Sequence, residues 1–363
     1  MKTGKVLITG SAGLIGSESV SFFDQLGYQV HGVDNNSRAR FFGSDGDTGW
    51  NLELLKRKAR NLVHHNLDIR SAPQLERLVH QVRPDVVIHC AAQPAHDFAR
   101  NHPVLDFHIN VTGTLNLLEA CRRNCPESVF VFCSSSKVYG QVNSIPYTES
   151  ETRFEFVPDP AIKGLTAHGI NEEFPLQGGE GRGIYGTGKA AADLLVQEYG
   201  VTYGMPTVSL RGNCMTGSGH SPVELHGFLA YMARCLMEGR TYNVFGYKGK
   251  QVRDIIHSYD FVSAAHTICL SPPEPGTAYN LGGGRTKSLS VLEAIELLQS
   301  MAGRKLDANF LDLARSGDHR IYISDTSKFR NDYPDWNSEW SLEDICRDLF
   351  ERFDDERFFA TMG

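Results

Sequence analysis

Tyr185 and Lys189 stand four residues apart in "YGTGK", a spacing that on a helix puts both side chains on one face. A phenol with its reference pKa of about 10 is a poor base. An adjacent ammonium favours the phenolate, and a phenolate held that way can take a proton from an alcohol. The Tyr-x-x-x-Lys pattern alone also arises by chance on packed surfaces, so a second group has to give it meaning. One candidate is "CSSSKVYG" (133–140), which follows the apolar run "SVFVF". Its hydroxyls either close an ordinary strand in a polar turn or handle a proton at a strand end, with the cationic Lys137 beside them.

A partner for such a site is written near the N-terminus. "ITGSAGLIGS" gives Gly10-x-x-Gly13-x-x-Gly16 between a predicted strand and a predicted helix. Glycines there permit the tight turn and the close approach of a pyrophosphate, whose charge the helix N-terminus favours. Asp34 ends the second predicted strand, 18 residues past Gly16, where a carboxylate accepts the adenosine ribose hydroxyls. The same carboxylate repels a 2′-phosphate, which favours NAD over NADP, with Arg38 nearby as the one opposing sign. Asp68, after the third strand, either pairs with the adenine amino group or belongs to a helix N-cap region. Ala91 and Ala92 in "HCAAQ" (89–93) are small enough to let a cofactor pass close to the sheet edge.

The elements that must position these groups follow from periodicity. "KVLIT" (5–9), "YQVHGVD" (28–34), "ARNLVHHN" (59–66), "PDVVIHC" (84–90), "SVFVFCS" (128–134) and "PTVSLR" (206–211) read as strands. Residues 14–26, 71–82, 101–123 and about 185–201 read as helices between them. Such alternation implies a doubly wound α/β fold, a parallel sheet covered on both faces. After residue 212 the pattern changes, with helices expected over 223–238, 288–303 and 341–354 and short strands in "TYNVFG" and "QVRDIIH". We therefore expect a dinucleotide domain over 1–211 and a smaller α/β substrate domain over 212–363, with segments such as 251–283 returning to the first. The irregular stretch 150–184 is too long for an ordinary connection and is expected to reach toward the substrate.

Composition narrows the class. The 363 residues are 41% hydrophobic and 22% charged with a net charge of −7, and no basic run suggests nucleic acid. No apolar stretch approaches a membrane span, and the N-terminus reads as a first strand rather than a signal peptide. The eight cysteines form no CxxC pair, which fits small core residues in a reducing cytoplasm. The 14 histidines show no metal-ligand spacing, so no metal is expected.

Taken together, the chain resembles an extended short-chain dehydrogenase/reductase of the nucleotide-sugar epimerase and dehydratase group. The resemblance rests on Gly10-x-x-Gly13-x-x-Gly16, Asp34, Asp68, "HCAAQ", "INVTGTLNLLEA" (109–120), "CSSSKVYG", Tyr185 with Lys189, "QVRDIIHSYD" (251–260), "YNLGGG" (279–284) and "SGDHRIYISDTSK" (316–328). It implies a Rossmann-type fold, bound NAD, a nucleotide-diphosphate sugar as substrate and a homodimer built on the 101–123 and 185–201 helices. It makes Ser135 the catalytic hydroxyl that relays a sugar proton to Tyr185, with Lys189 also holding the nicotinamide ribose. Cofactor contacts then fall to Gly10, Gly13, Leu14, Ile15 and Gly16, and to Asp34, Asn35, Ser37 and Arg38. Others fall to Asp68, Ile69, Ala91, Ala92, Gln93, Ser134 and Asn213, with Asn110 as support near the site. Substrate contacts fall to Gln93, Ser135, Ser136, Lys137, Tyr185, Cys214, Arg253, Arg315 and Asp318. Arg253 and Arg315 match positions that grip the diphosphate, and two cations suit two phosphates. A surface salt bridge is the alternative for each.

The residues after Ser135 bear on the reaction. Dehydratases of this group carry an acidic pair or a single Glu there, which removes the C5 proton and helps expel water. Here the positions are Ser136 and Lys137. A lysine with a depressed pKa can act as a base but does not replace a carboxylic acid. Oxidation, reorientation of the keto sugar and hydride return to its other face need no further base, and that is epimerisation. "KVYG", "YTESETRF" (147–154) and "GKQVRDIIHSYD" resemble the CDP-paratose (CDP-tyvelose) 2-epimerase branch, in which C2 is the redox carbon. "GGEGRGI" before Tyr185, Cys214 and "VELHGF" (223–228) depart from that branch, all on the sugar or nucleotide side. The competing readings are a 4-epimerase of an NDP-hexose or NDP-uronate, a dehydratase using Glu172, Glu173 or Glu180, and a non-catalytic NAD-binding regulator. The last is disfavoured because Ser135, Tyr185 and Lys189 are all present.

Overall fold

The structure is a computed structural model that describes residues 4–179, 182–315 and 317–353. Seven strands form one parallel sheet in the order Thr277–Leu281, Thr207–Gly212, Val129–Ser135, Val86–His89, Lys5–Thr9, Gln29–Val33 and Leu62–His65. Successive side chains of a strand point to opposite faces, and both faces are buried. Val6 and Ile8 enter one core, with Val20 and Phe23 of helix Leu14–Gln25 and Phe261 and Ile268 of helix Ser258–Leu270. Leu7 enters the other, under Leu75 of helix Ala72–Val82, Leu117 of Gly113–Asn124 and Val196 of Gly183–Tyr203. The chain runs outward from Lys5–Thr9 in one direction, then resumes on its other side at Val86–His89. That switch point leaves a crevice at the carboxyl ends of the strands.

A further apolar cluster joins helices Phe228–Glu238, Val291–Ala302 and Leu342–Phe353 through Leu229, Met232, Leu298, Ile345 and Leu349. Beside it, Tyr242–Phe245 pairs with Ala308–Leu311, and Val252–Asp254 lies between Ser288–Ser290 and Ile321–Tyr322. Ser290 opens helix Val291–Ala302 with a capping box to Glu293.

Several expected elements differ. The helix expected over 101–123 runs continuously from Pro103 to Asn124 with a π-turn at His108–Thr112 inside it, and a separate first piece, His96–Asn101, precedes it. Pro103 lacks the N–H that would continue the first piece. The helix expected over 223–238 starts at Phe228, because Val223 and His226 pair with each other and Gly227 takes φ +91°. Helix Gly49–Lys58 has no counterpart among the expected elements.

None of the described residues of the 150–184 stretch lines the substrate crevice. Phe154, Phe156, Leu165, Ile170 and Phe174 pack with Tyr139, Val252 and Tyr322 on the flank of the fold. Glu172 Oε1 accepts the Asn280 N–H (2.6 Å) and Ile170 O accepts Asn280 Nδ2 (2.7 Å). The stretch thereby covers the outer edge of strand Thr277–Leu281, an edge otherwise open to pairing with other chains.

Candidate active site

The crevice is a cleft of about 410 Å³. At one end the backbone of Gly10, Gly13 and Gly16 forms a cradle. Gly10 has φ +69°, and a Cβ there would lie 2.8 Å from Ala91 N; a Cβ on Gly16 would lie 1.9 Å from Gly10 O. Side chains are excluded and the start of helix Leu14–Gln25 is bare, which suits a pyrophosphate. Asp34 lines the same end, its carboxylate oriented by the N–H groups of Ala12 (3.0 Å) and Asn36 (2.7 Å). Asn35 donates to Asp68 (3.2 Å) and accepts from Ser37. Asp68 and Ile69 also line the cleft, and Asp68 is paired with Arg70 (2.6 Å). Ser71, not Asp68, occupies the N-cap position of helix Ala72–Val82.

Arg38 points away from a 2′-phosphate role. Its guanidinium donates to Ser221 O (2.7 Å) and lies over the Phe42 ring, and burial pushes its pKa down to about 10. It ties the adenosine end of the cleft to the 218–227 loop. The residues present therefore fit a dinucleotide with a free 2′-hydroxyl. They fit no resident metal: among the described residues no group of three or more His, Cys, Asp or Glu is arranged to hold one.

At the other end the three expected catalytic groups meet. Strand Val129–Ser135 delivers Ser135 to the cleft, and helix Gly183–Tyr203 delivers Tyr185 and Lys189 on one face. Burial raises the Tyr185 pKa well above its ordinary value, and the hydrogen bond from Ser135 opposes that rise. Lys189 Nζ donates to Cys133 O (2.7 Å) and sits 4.1 Å from the Phe132 ring centroid, with its pKa lowered by burial. These surroundings disfavour the phenolate, and positive charge beside the ring would favour it. Ser134 also lines the cleft, but its hydroxyl is directed at Asp193 (2.5 Å).

Around the expected sugar end, Ser136 donates to Asn213 (2.8 Å), and Asn213 donates to Asp254 (2.6 Å). Cys214 lines the cleft with its thiol pushed up to about 12 by burial. Arg253 pairs with Asp318 (2.5 Å), and Arg315 with Asp97 (2.6 Å). Burial pushes the Asp318 carboxyl up, but Arg253, Lys137 and Arg315 more than reverse this and hold it at about 2. Lys137 lines the cleft with its amine pushed down to about 7, chiefly by burial.

Two expected contacts are corrected. Gln93 and Asn110 do not line the cleft. The Gln93 side chain is fully buried and closes on its own loop, accepting from Ala95 N (2.6 Å) and donating to Ala95 O (2.8 Å). Asn110, in the π-turn, bonds both the N–H (2.8 Å) and C=O (3.0 Å) of Gln93 and donates to Asp106 (2.9 Å). It braces the loop after Val86–His89. Of the proposed alternative acids, Glu172 and Glu173 line a separate recess with Arg211 and Lys328, away from Tyr185. Glu180 lies outside the described residues.

Sequence reasoning missed three cleft histidines, His96, His220 and His226. The His96 ring packs edge-on to Tyr185, 4.8 Å between centroids. The signals were "QPAHDF" directly after "HCAAQ", and two histidines within "GHSPVELHG".

Comparison with known proteins agrees with this arrangement. The model of the NAD dependent epimerase/dehydratase family matches residues 6–160 and 165–282. CDP-paratose 2-epimerase of Salmonella typhi is 31% identical over 354 residues, covering 96% of this chain and 98% of its own. UDP-glucose 4-epimerase 4 of Oryza sativa subsp. japonica is 29% identical, covering 94% and 88%. The crystal structure of Thermus thermophilus UDP-glucose 4-epimerase in complex with NAD superposes with a TM-score of 0.76 at 25% identity, over 97% of this chain and 99% of that one.

Proposed function

The chain belongs to the NAD dependent epimerase/dehydratase family, and from that premise we propose that it is an NAD-dependent epimerase inverting C2 of a CDP-sugar. NAD, when bound, takes a hydride from the sugar carbon and returns it. Ser135 hydrogen-bonds the reacting hydroxyl, and Tyr185 takes its proton. Lys189 is fixed on Cys133 O, and its ammonium would hold the nicotinamide ribose when NAD is bound. The kept ketone then turns over in the cleft before reduction from its other face. Arg253 and Arg315 hold the diphosphate during that turn, and Asn213 fixes Ser136 beside the site.

The observation that carries epimerisation is the turn after Ser135. It presents a hydroxyl tied to Asn213 and a lysine amine, with no carboxyl group to protonate a departing hydroxide. Across the cleft, Asp318 is kept ionised by Arg253, and Glu224, which also lines the cleft, accepts from Asn243 Nδ2 (2.6 Å). Likeness to a CDP-paratose 2-epimerase supports C2 and a cytidine nucleotide. The second reading is 4-epimerisation, since the same three residues serve either carbon and 4-epimerases are among the relatives.

We also propose a homodimer in the cytoplasm, serving carbohydrate biosynthesis. Val104, Phe107, Leu194 and Val201 are exposed on the helices expected to meet across a two-fold axis, and all eight cysteines are free thiols.

The test is incubation with CDP-, UDP-, GDP- and dTDP-sugars in D2O, with products read by NMR. Inversion at C2 without deuterium uptake is expected. Inversion at C4 alone would overturn the choice of carbon, and water loss or deuterium at C5 would overturn epimerisation. Tyr185→Phe is expected to lose on the order of 10²–10⁴ in turnover; unchanged turnover would remove Tyr185 as the base.

A further inference from the structure

Lys137 is anchored at both ends. Its backbone N–H donates to Ser135 Oγ (3.2 Å), and its Nζ donates to Gly317 O (2.8 Å). Gly317 adjoins Asp318, the partner of Arg253, and lies two residues from Arg315. One half-buried side chain therefore runs from the catalytic turn to the loop that carries Arg315. Asp318, Arg253, Cys214, Arg315 and His96 face it across the cleft.

We propose that Lys137 is a specificity-determining strut: it fixes the distance between Ser135 and the loop that carries Arg315 and Asp318, and so selects which sugar carbon meets Tyr185. The diphosphate is bonded through the anomeric carbon. C2 is that carbon's neighbour, whereas C4 lies across the ring. A loop held tightly to the catalytic turn presents C2, and a loop released from it makes room for C4. The loop keeps other ties when the strut is cut: Asn143 donates to Asp318 O (2.9 Å) and accepts from Arg320 N (2.9 Å). Substitution at 137 therefore leaves a folded protein in which only the spacing is relaxed.

This inference rests on the C2-epimerase reading. The test compares wild type, Lys137→Met, which keeps the stem and loses the donor, and Lys137→Arg, which keeps a donor. Each is given a CDP-sugar and UDP-glucose, with C2 and C4 inversion read separately by NMR, and NAD content and thermal midpoint checked in parallel. Misplacement by about 1 Å costs roughly a hundredfold in turnover. We expect Lys137→Met to retain NAD and the thermal midpoint, and to shift the C2:C4 ratio toward C4 by at least about tenfold, chiefly through kcat rather than KM, with Lys137→Arg between the two. A wild type that inverts C4 alone would refute the C2 reading and with it the strut; where the wild type inverts C2, the variants alone decide the strut. A ratio unchanged within about twofold in both variants overturns it. So does a change confined to KM, which would mark Lys137 as an ordinary binding contact.

Discussion

Replacing either member of the Asp193–Arg211 pair should unfold this protein far more readily than replacing both. The two side chains are 0% and 3% exposed and meet twice, at 2.8 Å and 3.1 Å. Asp193 also accepts Ser134 Oγ and Gln197 Nε2, both at 2.5 Å, and Arg211 donates to Tyr139 OH at 2.9 Å. Burial works against the Arg211 charge, but the Asp193 carboxylate and the Tyr139 oxygen outweigh it and raise its pKa above the ordinary value. Asp193→Asn or Arg211→Met leaves the other group uncompensated in the core, at a cost of about 3–5 kcal/mol each. The double variant Asp193→Leu/Arg211→Met removes both charges. Its remaining cost is the orphaned Ser134 and Gln197 groups, about 1 kcal/mol apiece, because the Tyr139 hydroxyl still donates to Asn280 (2.7 Å). The coupling in the double-mutant cycle should therefore be at least about 2 kcal/mol. Urea unfolding followed by tryptophan fluorescence measures it, provided the m-values agree among the four proteins. Singles costing under about 1 kcal/mol, or additivity within about 0.5 kcal/mol, would refute the claim that the pair is a desolvated unit.

Two further outcomes follow from the geometry. Gly16→Ala puts a Cβ 1.9 Å from Gly10 O, a backbone atom that cannot step aside, so NAD co-purification and calorimetric NAD binding should be lost; Gly178→Ala, with nothing within 4 Å of its Cβ, should bind NAD as the wild type does. The Asp318 carboxyl is held at about 2 against an ordinary 3.8, so its contribution of about 2 kcal/mol is fully present above pH 3.8 and disappears as pH falls through 2. Acid titration of the unfolding free energy should show that limb in wild type and a flatter one in Asp318→Asn; identical limbs would rule out Asp318 as the source.

The sheet was legible because its strands are short apolar runs buried on both faces, as Val6–Ile8 and Val86–Ile88 are. The cofactor cradle was legible because Gly10, Gly16 and Asp34 answer to backbone sterics and to one ribose, requirements that are local in sequence. Element breaks were harder. The helix at His96 has no side-chain cap, so nothing marks its start, and the π-turn at His108–Thr112 is invisible to a 3.6-residue period. Gln93 misled for the opposite reason: the motif is local, but its side chain is satisfied by Ala95 two residues on. The position of 150–184 depended on the unpaired edge of Thr277–Leu281, more than a hundred residues away.

The arginines proposed to grip the diphosphate already have carboxylate partners in Asp318 and Asp97. A diphosphate entering this cleft therefore exchanges one set of ion pairs for another, and net charge attraction contributes little of the discrimination between nucleotide sugars. Discrimination has to come from position: how far the loop carrying Arg315 and Asp318 stands from Ser135 and Tyr185. Position is set by tertiary contacts, chiefly Lys137 to Gly317 and Asn143 to Asp318, and these join residues about 175–180 apart in the chain. On the proposed function, hydride and proton transfer depend on residue types, whereas the choice of carbon depends on a distance. Ser135, Tyr185 and Lys189 would serve C2 or C4 alike, so substitution at 137 is the more informative about the substrate.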